Sequence, residues 1–394
     1  MTRLSTTGTL TAALLLWCGT TLFAQTVIPE KAGKGISFVA ADSSFSVKLN
    51  GRIQNLYSGE LNLTDNGYQD RFVIRRARLK MEGLAFGPKL EYKIELGLSN
   101  QDIAGGTEAH SSTANIVLDA IAKWHFAPGF SLWFGQTKLP GNRERLISSQ
   151  KLQFVDRSML NSRYNLDRDL GVQLNHESAA GKAVFRQIIS VSMGQGRNIT
   201  ADNEGGYDYT GRLEFLPFGT FRSDGDFVGG DLSREESPRL SLAVAYDYND
   251  GATRSGGQLG DFLDEPRDLK TFFADAMFKY RGLSAMAEYA DKRTSGTPVV
   301  STGPDDSVDA AFFTGTGFNV QAGYLFTGNF EVAGRYTVVS PERITQRDRT
   351  RQYTLGVSRY LAGHTVKLQS DISLLKEAAD LSELMYRFQL EIGF

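Results

Sequence analysis

The chain has 394 residues, with 43 Lys and Arg against 45 Asp and Glu, a formal charge of −2, 41 Gly, 10 Pro, 25 Phe, 15 Tyr and one Cys. Glycine and aromatics at this level exclude an intrinsically disordered chain and a coiled coil, and the near-neutral balance argues against nucleic acid as a partner. Beyond the N-terminus no stretch approaches the roughly 18 uninterrupted apolar residues of a spanning helix, which leaves several soluble domains or one large all-β body.

Residues 1–24 read as an export signal peptide. Arg3 supplies the positive start, residues 10–18 form an apolar run, and Ala24 precedes the expected cleavage before Gln25. Bulky Trp17 before Cys18 fits a lipoprotein signal poorly, so Cys18 is expected to leave with the signal. An exported chain without disulfides needs another cooperative network. A closed β-barrel in an outer membrane supplies one, because lipid offers the backbone no partner and every N–H and C=O must pair between strands. Residues 25–44 are then expected to form a periplasmic N-terminal segment and residues 45–394 the transmembrane β-barrel.

Period-2 alternation, interrupted by Gly, Asn, Asp and Pro, predicts an all-β fold of 16 antiparallel strands. They fall at 45–57, 70–83, 88–98, 115–126, 130–138, 168–176, 182–194, 207–216, 238–248, 270–281, 282–291, 315–325, 329–339, 350–361, 363–376 and 384–394, with 36–40 as a further short candidate. The connections at 58–69, 99–114, 139–167, 195–206, 249–269, 292–314, 340–349 and 377–383 are mostly long and polar, whereas those between them are mostly tight. Only 217–237 breaks that pattern among the tight ones. An even strand count with long loops on one rim and short turns on the other describes a bacterial outer-membrane barrel, with both termini on the periplasmic side.

The last strand carries Tyr386, Phe388, Leu390, Ile392 and Phe394 on one face and Arg387, Gln389, Glu391 and Gly393 on the other. A terminal aromatic at Phe394 resembles the signal read by the outer-membrane assembly machinery. Aromatics also gather at strand ends, at Trp124, Phe126 and Phe130, at Tyr246 and Tyr248, and at Tyr324, Phe326 and Phe330, as interfacial girdles require.

A cylinder of this strand number is too wide for side chains to fill, so a water-filled channel is expected. On the second strand Arg76, Arg78 and Lys80 share the inward parity, with Val73, Ala77, Leu79 and Met81 towards lipid. Arg75 lies on the other parity, near the rim or beside a bulge. Neighbouring inward positions are mixed: Lys48, Arg52 and Gln54, then Lys89, Glu91, Lys93 and Glu95, then Asp119 and Lys123. Much of this is wall scaffolding, with charges paired across strands. The third long loop, 139–167, holds Arg143, Arg145, Lys151, Arg157 and Arg163 against Glu144, Asp156 and Asp167, flanked by Lys138 and Arg168. A loop of that length is expected to fold inwards and narrow the bore. Basic groups at a constriction concentrate anions, and the guanidinium fork suits phosphate or carboxylate oxygens. The expected anion path is Arg75, Arg76, Arg78, Lys80, Lys138, Arg143, Arg145, Lys151 and Arg157. The bland alternative gives these arginines to lipopolysaccharide phosphates or loop carboxylates.

Five stretches together resemble the phosphate-selective porin O/P family over nearly the whole mature chain. They are 75–83 (RRARLKMEG), 135–140 (GQTKLP), 148–161 (SSQKLQFVDRSMLN), 168–174 (RDLGVQL) and 213–219 (LEFLPFG). The resemblance implies an outer-membrane porin, typically a homotrimer, that passes small anions such as phosphate along inward arginines and lysines. The family's paired arginines match Arg75 and Arg76, and its lysine after the Gly–Gln pair matches Lys138. Thr137 stands where an aromatic is common. The net acidic chain and its mixed wall charges depart from the pattern, which leaves phosphate, polyphosphate, other small anions and non-selective general passage open.

An outer-membrane enzyme would need a convergent catalytic set. His110, His125, His176 and His364 are scattered, and neither a G-x-S-x-G elbow nor an H-E-x-x-H pair occurs. A structural or adhesive barrel with a plugged lumen is the other rival class. The Asp- and Gly-rich loops 202–206 and 304–309 lack EF-hand spacing and read as solvated, and the acceptor patterns at Asn62 and Asn198 read as chance. The expectation is passive diffusion through an anion-preferring pore, without cofactor or metal.

Overall fold

The computed structural model describes residues 26–28, 33, 35–103, 115–203, 205–378 and 380–394. The expected signal peptide with Cys18, and His110, lie outside the described residues.

One closed antiparallel sheet forms the body. Its strands are β1 (Ser46–Asn62), β2 (Tyr68–Leu84), β3 (Leu90–Gly97), β4 (Val117–Ala127), β5 (Phe130–Lys138), β6 (Arg168–Ala180), β7 (Ala183–Ser192) and β8 (Asp208–Leu216), followed by β9 (Arg239–Arg254), β10 (Phe262–Tyr280), β11 (Leu283–Thr294), β12 (Gly315–Leu325), β13 (Phe330–Pro341), β14 (Thr350–Ala362), β15 (Val366–Glu377) and β16 (Asp380–Gly393). Each pairs with its neighbours in sequence. The barrel closes where β16 returns to β1, in register from Glu383↔Asn62 to Gly393↔Arg52. Closure leaves no unpaired edge to lipid.

All sixteen predicted strands are present, and the short candidate near 36–40 is Ile36–Val39, which pairs with Thr26–Ile28 and with the start of β1. The alternation has the reverse sense of a soluble core. On β8, inward Asp208, Thr210, Arg212 and Glu214 are buried, whereas outward Tyr209, Leu213 and Phe215 are exposed. That partition is what strands between lipid and a polar interior require. The aromatic girdle is a set of touching rings: Trp124–Phe126 at 5.5 Å, Phe126–Phe130 at 5.8 Å and Tyr324–Phe326 at 5.0 Å between centroids.

The connection expected at 249–269 is largely strand. β9 and β10 remain paired at Asn249↔Leu269, Ala252↔Arg267 and Arg254↔Phe262, with two register shifts. Backbone pairing carries the hairpin past polar residues where side-chain alternation fails, and an irregular, bulged stretch tolerates Pro266. The 292–314 connection likewise contains a small hairpin, Val299–Thr302 with Val308–Ala311.

The second strand corrects the expected parity. Gln54 faces Arg76, but the next pair is Asn55↔Ile74, so Arg75 is an extra residue in β2. This β-bulge resets the alternation beyond it. Phe72 and Ile74 are the exposed residues there, at 73% and 57%, in place of Val73. Both members of the Arg75–Arg76 pair reach the loop that fills the bore.

That loop, 139–167, spans the interior. It contains the short helices Arg143–Leu146 and Met159–Tyr164 and a 3-10 turn at Ser149–Lys151. The Ser158 hydroxyl caps the second helix by accepting from Asn161 N–H, while Ser158 N–H donates to the Glu144 carboxylate at 2.9 Å. Apolar Leu139, Leu160, Tyr164 and Leu166 pack with Ala245, Phe273, Ala290 and Val339 of the wall. On one side Arg143 bonds Asp275 of β10 and Ser241 of β9. In the middle Gln153 bonds Ser284 of β11 and Glu331 of β13. On the far side Val155 N–H donates to Asp371 of β15, and Asp156 accepts from Arg75 and Arg76 of β2.

A second insert meets it. The 217–238 connection, the exceptional long one among the short turns, also enters the lumen. Gly229 N–H donates to the Lys151 carbonyl at 2.7 Å, Lys279 donates to the Val228 carbonyl at 2.8 Å, and Asp231 accepts from Gly282 N–H at 2.7 Å. Ile147 and Leu152 of the loop share a cluster with Phe221 of this insert and wall residues Leu216, Met277 and Met286.

Candidate functional site

The inserts leave a polar cleft of about 430 Å³ against the wall formed by β2 to β6. Its lining contains nine cationic side chains: Arg75, Arg76, Arg78, Lys93, Lys138, Arg145, Arg157, Arg168 and Arg197. Four carboxylates face them, Glu95, Asp102, Asp119 and Asp167, and Asp156 adds a fifth from beneath Arg75 and Arg76.

Most of these charges are paired. Arg75 Nε donates to Asp156 at 3.0 Å and Arg76 Nη2 at 2.8 Å. Arg78 bridges Asp102 at 2.8 Å and Glu95 at 3.2 Å. Lys93 reaches Asp119 at 2.8 Å and Glu95 at 3.1 Å, and Arg168 holds Asp119 at 3.1 Å. Arg145 pairs with Asp167. Burial pushes the Asp156 carboxyl up, but the charges of Arg76, Arg75 and Arg387 outweigh it and hold the group below the usual carboxylate range. Asp167 is held low in the same way, with Arg145 and Arg168 outweighing its burial.

Three cations differ. Lys138 Nζ donates only to the carbonyls of Leu146 and Ile147, at 3.0 and 3.2 Å. Arg157 donates to the carbonyls of Glu144 and Ile147, at 2.9 and 2.7 Å. Arg197 donates to the Asp102 carbonyl at 2.6 Å, and its Nη1 is buried without a partner. Among the described residues none of the three has a carboxylate in ion-pair contact. Burial, then the neighbouring Arg145 and Arg76 charges, push the Arg157 guanidinium below its ordinary value. An anion entering here would relieve both effects.

The cleft gathers six of the nine residues expected on an anion path: Arg75, Arg76, Arg78, Lys138, Arg145 and Arg157. Lys80 lies elsewhere, paired with Glu82 at 2.8 Å. Arg143 is fully buried across the bore, between Asp275 at 2.6 Å and Glu214 at 3.1 Å. Lys151 sits at the contact between the two inserts. Lys93, Arg168 and Arg197 belong to the cleft although the sequence reading did not assign them to the path. Lys93 was legible as an inward parity position, and Arg168 as a flank of the third loop. Arg197 had no periodic signal.

Among the described residues no catalytic constellation accompanies the cleft. His125 contacts Glu91 at 3.2 Å on the exposed wall, His176 contacts Gln187 at 2.6 Å, and His364 packs edge-on to Tyr360. Among the described residues no group of three His, Cys, Asp or Glu side chains is placed to hold a metal ion.

A family model described as phosphate-selective porin O and P matches residues 47–378. An Aquifex aeolicus protein, described as uncharacterized, is 25% identical over 408 residues, covering 93% of this chain and 92% of its own. The anion-selective porin from Comamonas acidovorans superposes with a TM-score of 0.55 at 14% identity, over 89% of this chain and 100% of that one. The outer membrane channel DcaP of Acinetobacter baumannii gives 0.53 at 13% identity, over 92% and 100%. At these identities the structural likeness is one of fold.

Proposed function

The chain belongs to the phosphate-selective porin O and P family, whose model spans most of its length, and from that premise we propose that the basic cleft makes this outer-membrane channel anion-preferring. The chain is a porin of the bacterial outer membrane, a passive channel rather than an enzyme. The observation that carries the anion reading is the set of three cations, Lys138, Arg157 and Arg197, held only by backbone carbonyls beside the paired charges of the wall. Desolvated cations with unspent donors attract small oxyanions, and arginine matches phosphate or carboxylate geometry. The Comamonas porin of the same fold is named for anion selectivity, and this cleft supplies the charge for the same preference. Phosphate and polyphosphate are the solutes it suits best.

A second reading, a general pore with weak selectivity, has its own support. Arg75, Arg76, Arg78, Lys93, Arg145 and Arg168 all have carboxylate partners, and paired charges cancel at a distance. One measurement separates the two. Purified protein in planar bilayers under a KCl gradient should show a reversal potential set by chloride, and added phosphate should reduce the chloride current. A potential set by potassium, or equal permeability without phosphate block, overturns the anion reading.

Further parts of the proposal concern the setting of the channel. Residues 1–24 are removed as a signal, 25–44 lie in the periplasm, and both termini sit on the short-turn, periplasmic side. Phe394 presents the terminal aromatic to the assembly machinery, outward cations meet lipopolysaccharide, and three copies assemble.

A further inference from the structure

A second cavity lies apart from the basic cleft. A vestibule of about 810 Å³ opens on the long-loop side, between the third loop, the end of the 292–314 connection and the 342–349 connection. Its centre is a ring with two cations. Arg163 lies over Phe313 at 5.5 Å from the ring centroid and Arg347 over the same ring at 5.0 Å. Both arginines are exposed to the vestibule, and Phe313 is half-buried. Among the described residues neither guanidinium has a carboxylate in ion-pair contact. Two like charges therefore share one aromatic ring, and no carboxylate side chain among the described residues bridges them.

The ring is held firmly. Phe313 N–H donates to the Ser255 carbonyl at 2.7 Å, Phe312 is buried against Ala252 and Leu269, and the Tyr164 hydroxyl donates to the Thr314 carbonyl at 3.2 Å. Met159 and Pro341 add apolar surface to the same wall, whereas Asp348 and Glu377 bring negative charge to it. The acidic pair disfavours a dense, multiply charged anion more than a singly charged one. The apolar and aromatic wall adds nothing for inorganic phosphate but buries the body of an organic acid.

We propose that the vestibule is a second anion site, separate from the basic cleft, that captures aromatic monocarboxylates. The carboxylate takes the Arg163 and Arg347 donors, and the ring of the solute packs beside Phe313 and Met159. This inference rests on the reading of the chain as an anion-passing channel and adds a solute class to it.

The test is block of chloride current in planar bilayers by benzoate and by acetate, which share a charge and differ in the ring. Benzoate should half-block at roughly tenfold lower concentration than acetate, the difference expected from burying much of one phenyl ring. Phe313→Ala should shrink that difference at least ~3-fold, and Phe313→Leu, which keeps the apolar bulk and protects the fold, should shrink it less. Arg163→Gln with Arg347→Gln should weaken benzoate block by ~10-fold through loss of charge-assisted hydrogen bonds. Equal block by benzoate and acetate in the wild type, or a difference untouched by Phe313→Ala, overturns the vestibule site. Chloride conductance in the same records reports the channel reading independently: if it is present while benzoate shows no advantage, only this inference fails.

Discussion

Arg143 Nε donates a 2.6 Å hydrogen bond to Asp275 Oδ1, and both side chains are withdrawn from solvent. The contact ties the first helix of the third loop to β10, and Glu214, Ser241 and the Asp226 carbonyl accept the remaining hydrogen bonds of the guanidinium. Removing one member of such a pair leaves an uncompensated buried charge, which costs about 3–5 kcal/mol. Arg143→Gln is therefore expected to loosen the loop and raise single-channel conductance and current noise. Unchanged conductance would show that the apolar contacts of Leu160 and Tyr164 hold the loop alone.

The three carbonyl-held cations should act on permeation directly, whereas the paired ones act together with the carboxylates they hold. Loss of one charge a few ångströms from a passing anion in a watery lumen is worth about 1 kcal/mol, or ~5-fold. Arg157→Gln or Arg197→Gln should lower the chloride-to-potassium permeability ratio by that order. Arg78→Gln, which leaves Asp102 without an ion pair while Glu95 keeps Lys93, should turn the cleft towards cations by a similar order. Reversal potentials measure all three, and a ratio unmoved by Arg157→Gln would place the filter elsewhere.

Much of this was legible beforehand, for definable reasons. A strand between lipid and water writes its orientation into alternate residues, so Leu213 and Phe215 against Arg212 and Glu214 reveal β8 without help. The inward course of the third loop was legible from its length and charge. The off-parity position of Arg75 pointed to the rim or to a bulge, and only the register with the partner strand decides for the bulge and moves the outward positions from Val73 to Phe72 and Ile74. The insertion of 217–238 was hidden. Its length marked it as unusual, but the bonds from Gly229 to Lys151 and from Lys279 to Val228 join segments whose sequences carry no common pattern. Arg143 was read as part of a path because its charge is visible in sequence and its burial is not.

Acid should release the third loop only at low pH. Asp156 and Asp167 are held below the usual carboxylate range by surrounding arginines. A depressed folded-state value contributes stability that is complete above the unfolded value, about 3.9, and is lost as pH falls through the folded one. Conductance and hydrogen-exchange protection of residues 153–158 should thus hold constant from neutral pH down to about 4 and change below it. Asp156→Asn should show the altered values at every pH. A transition near pH 6 in the wild type would implicate another group.

The seam between the first and last strands gives a stability test. Gly51 and Phe394 exchange both backbone hydrogen bonds at 2.8 Å, and the Phe394 ring covers the face where a Cβ at Gly51 would stand. Gly51→Ala must displace that ring, an overpacking cost of about 1–3 kcal/mol. In protein refolded from urea into detergent, the temperature at which the SDS-resistant form disappears should fall. Gly51→Ala combined with Phe394→Ala should recover part of the loss. No change in the single variant would show the ring moves freely.

Two inserts fill one flank of the lumen and leave the charged cleft against β2 to β6. With solute following the cleft, as proposed, its route is eccentric and the barrel divides its labour by circumference. The flank around Asp275, Glu214 and Met277 is fastened to the inserts, and changes there act on folding. On the proposed anion path the opposite flank meets solute along a short arc of wall, where Lys138 and Arg197, which hold no carboxylate, are the positions expected to retune permeability at least cost to the fold. Diversification among barrels built this way is expected to concentrate on that arc, while the fastened flank drifts slowly.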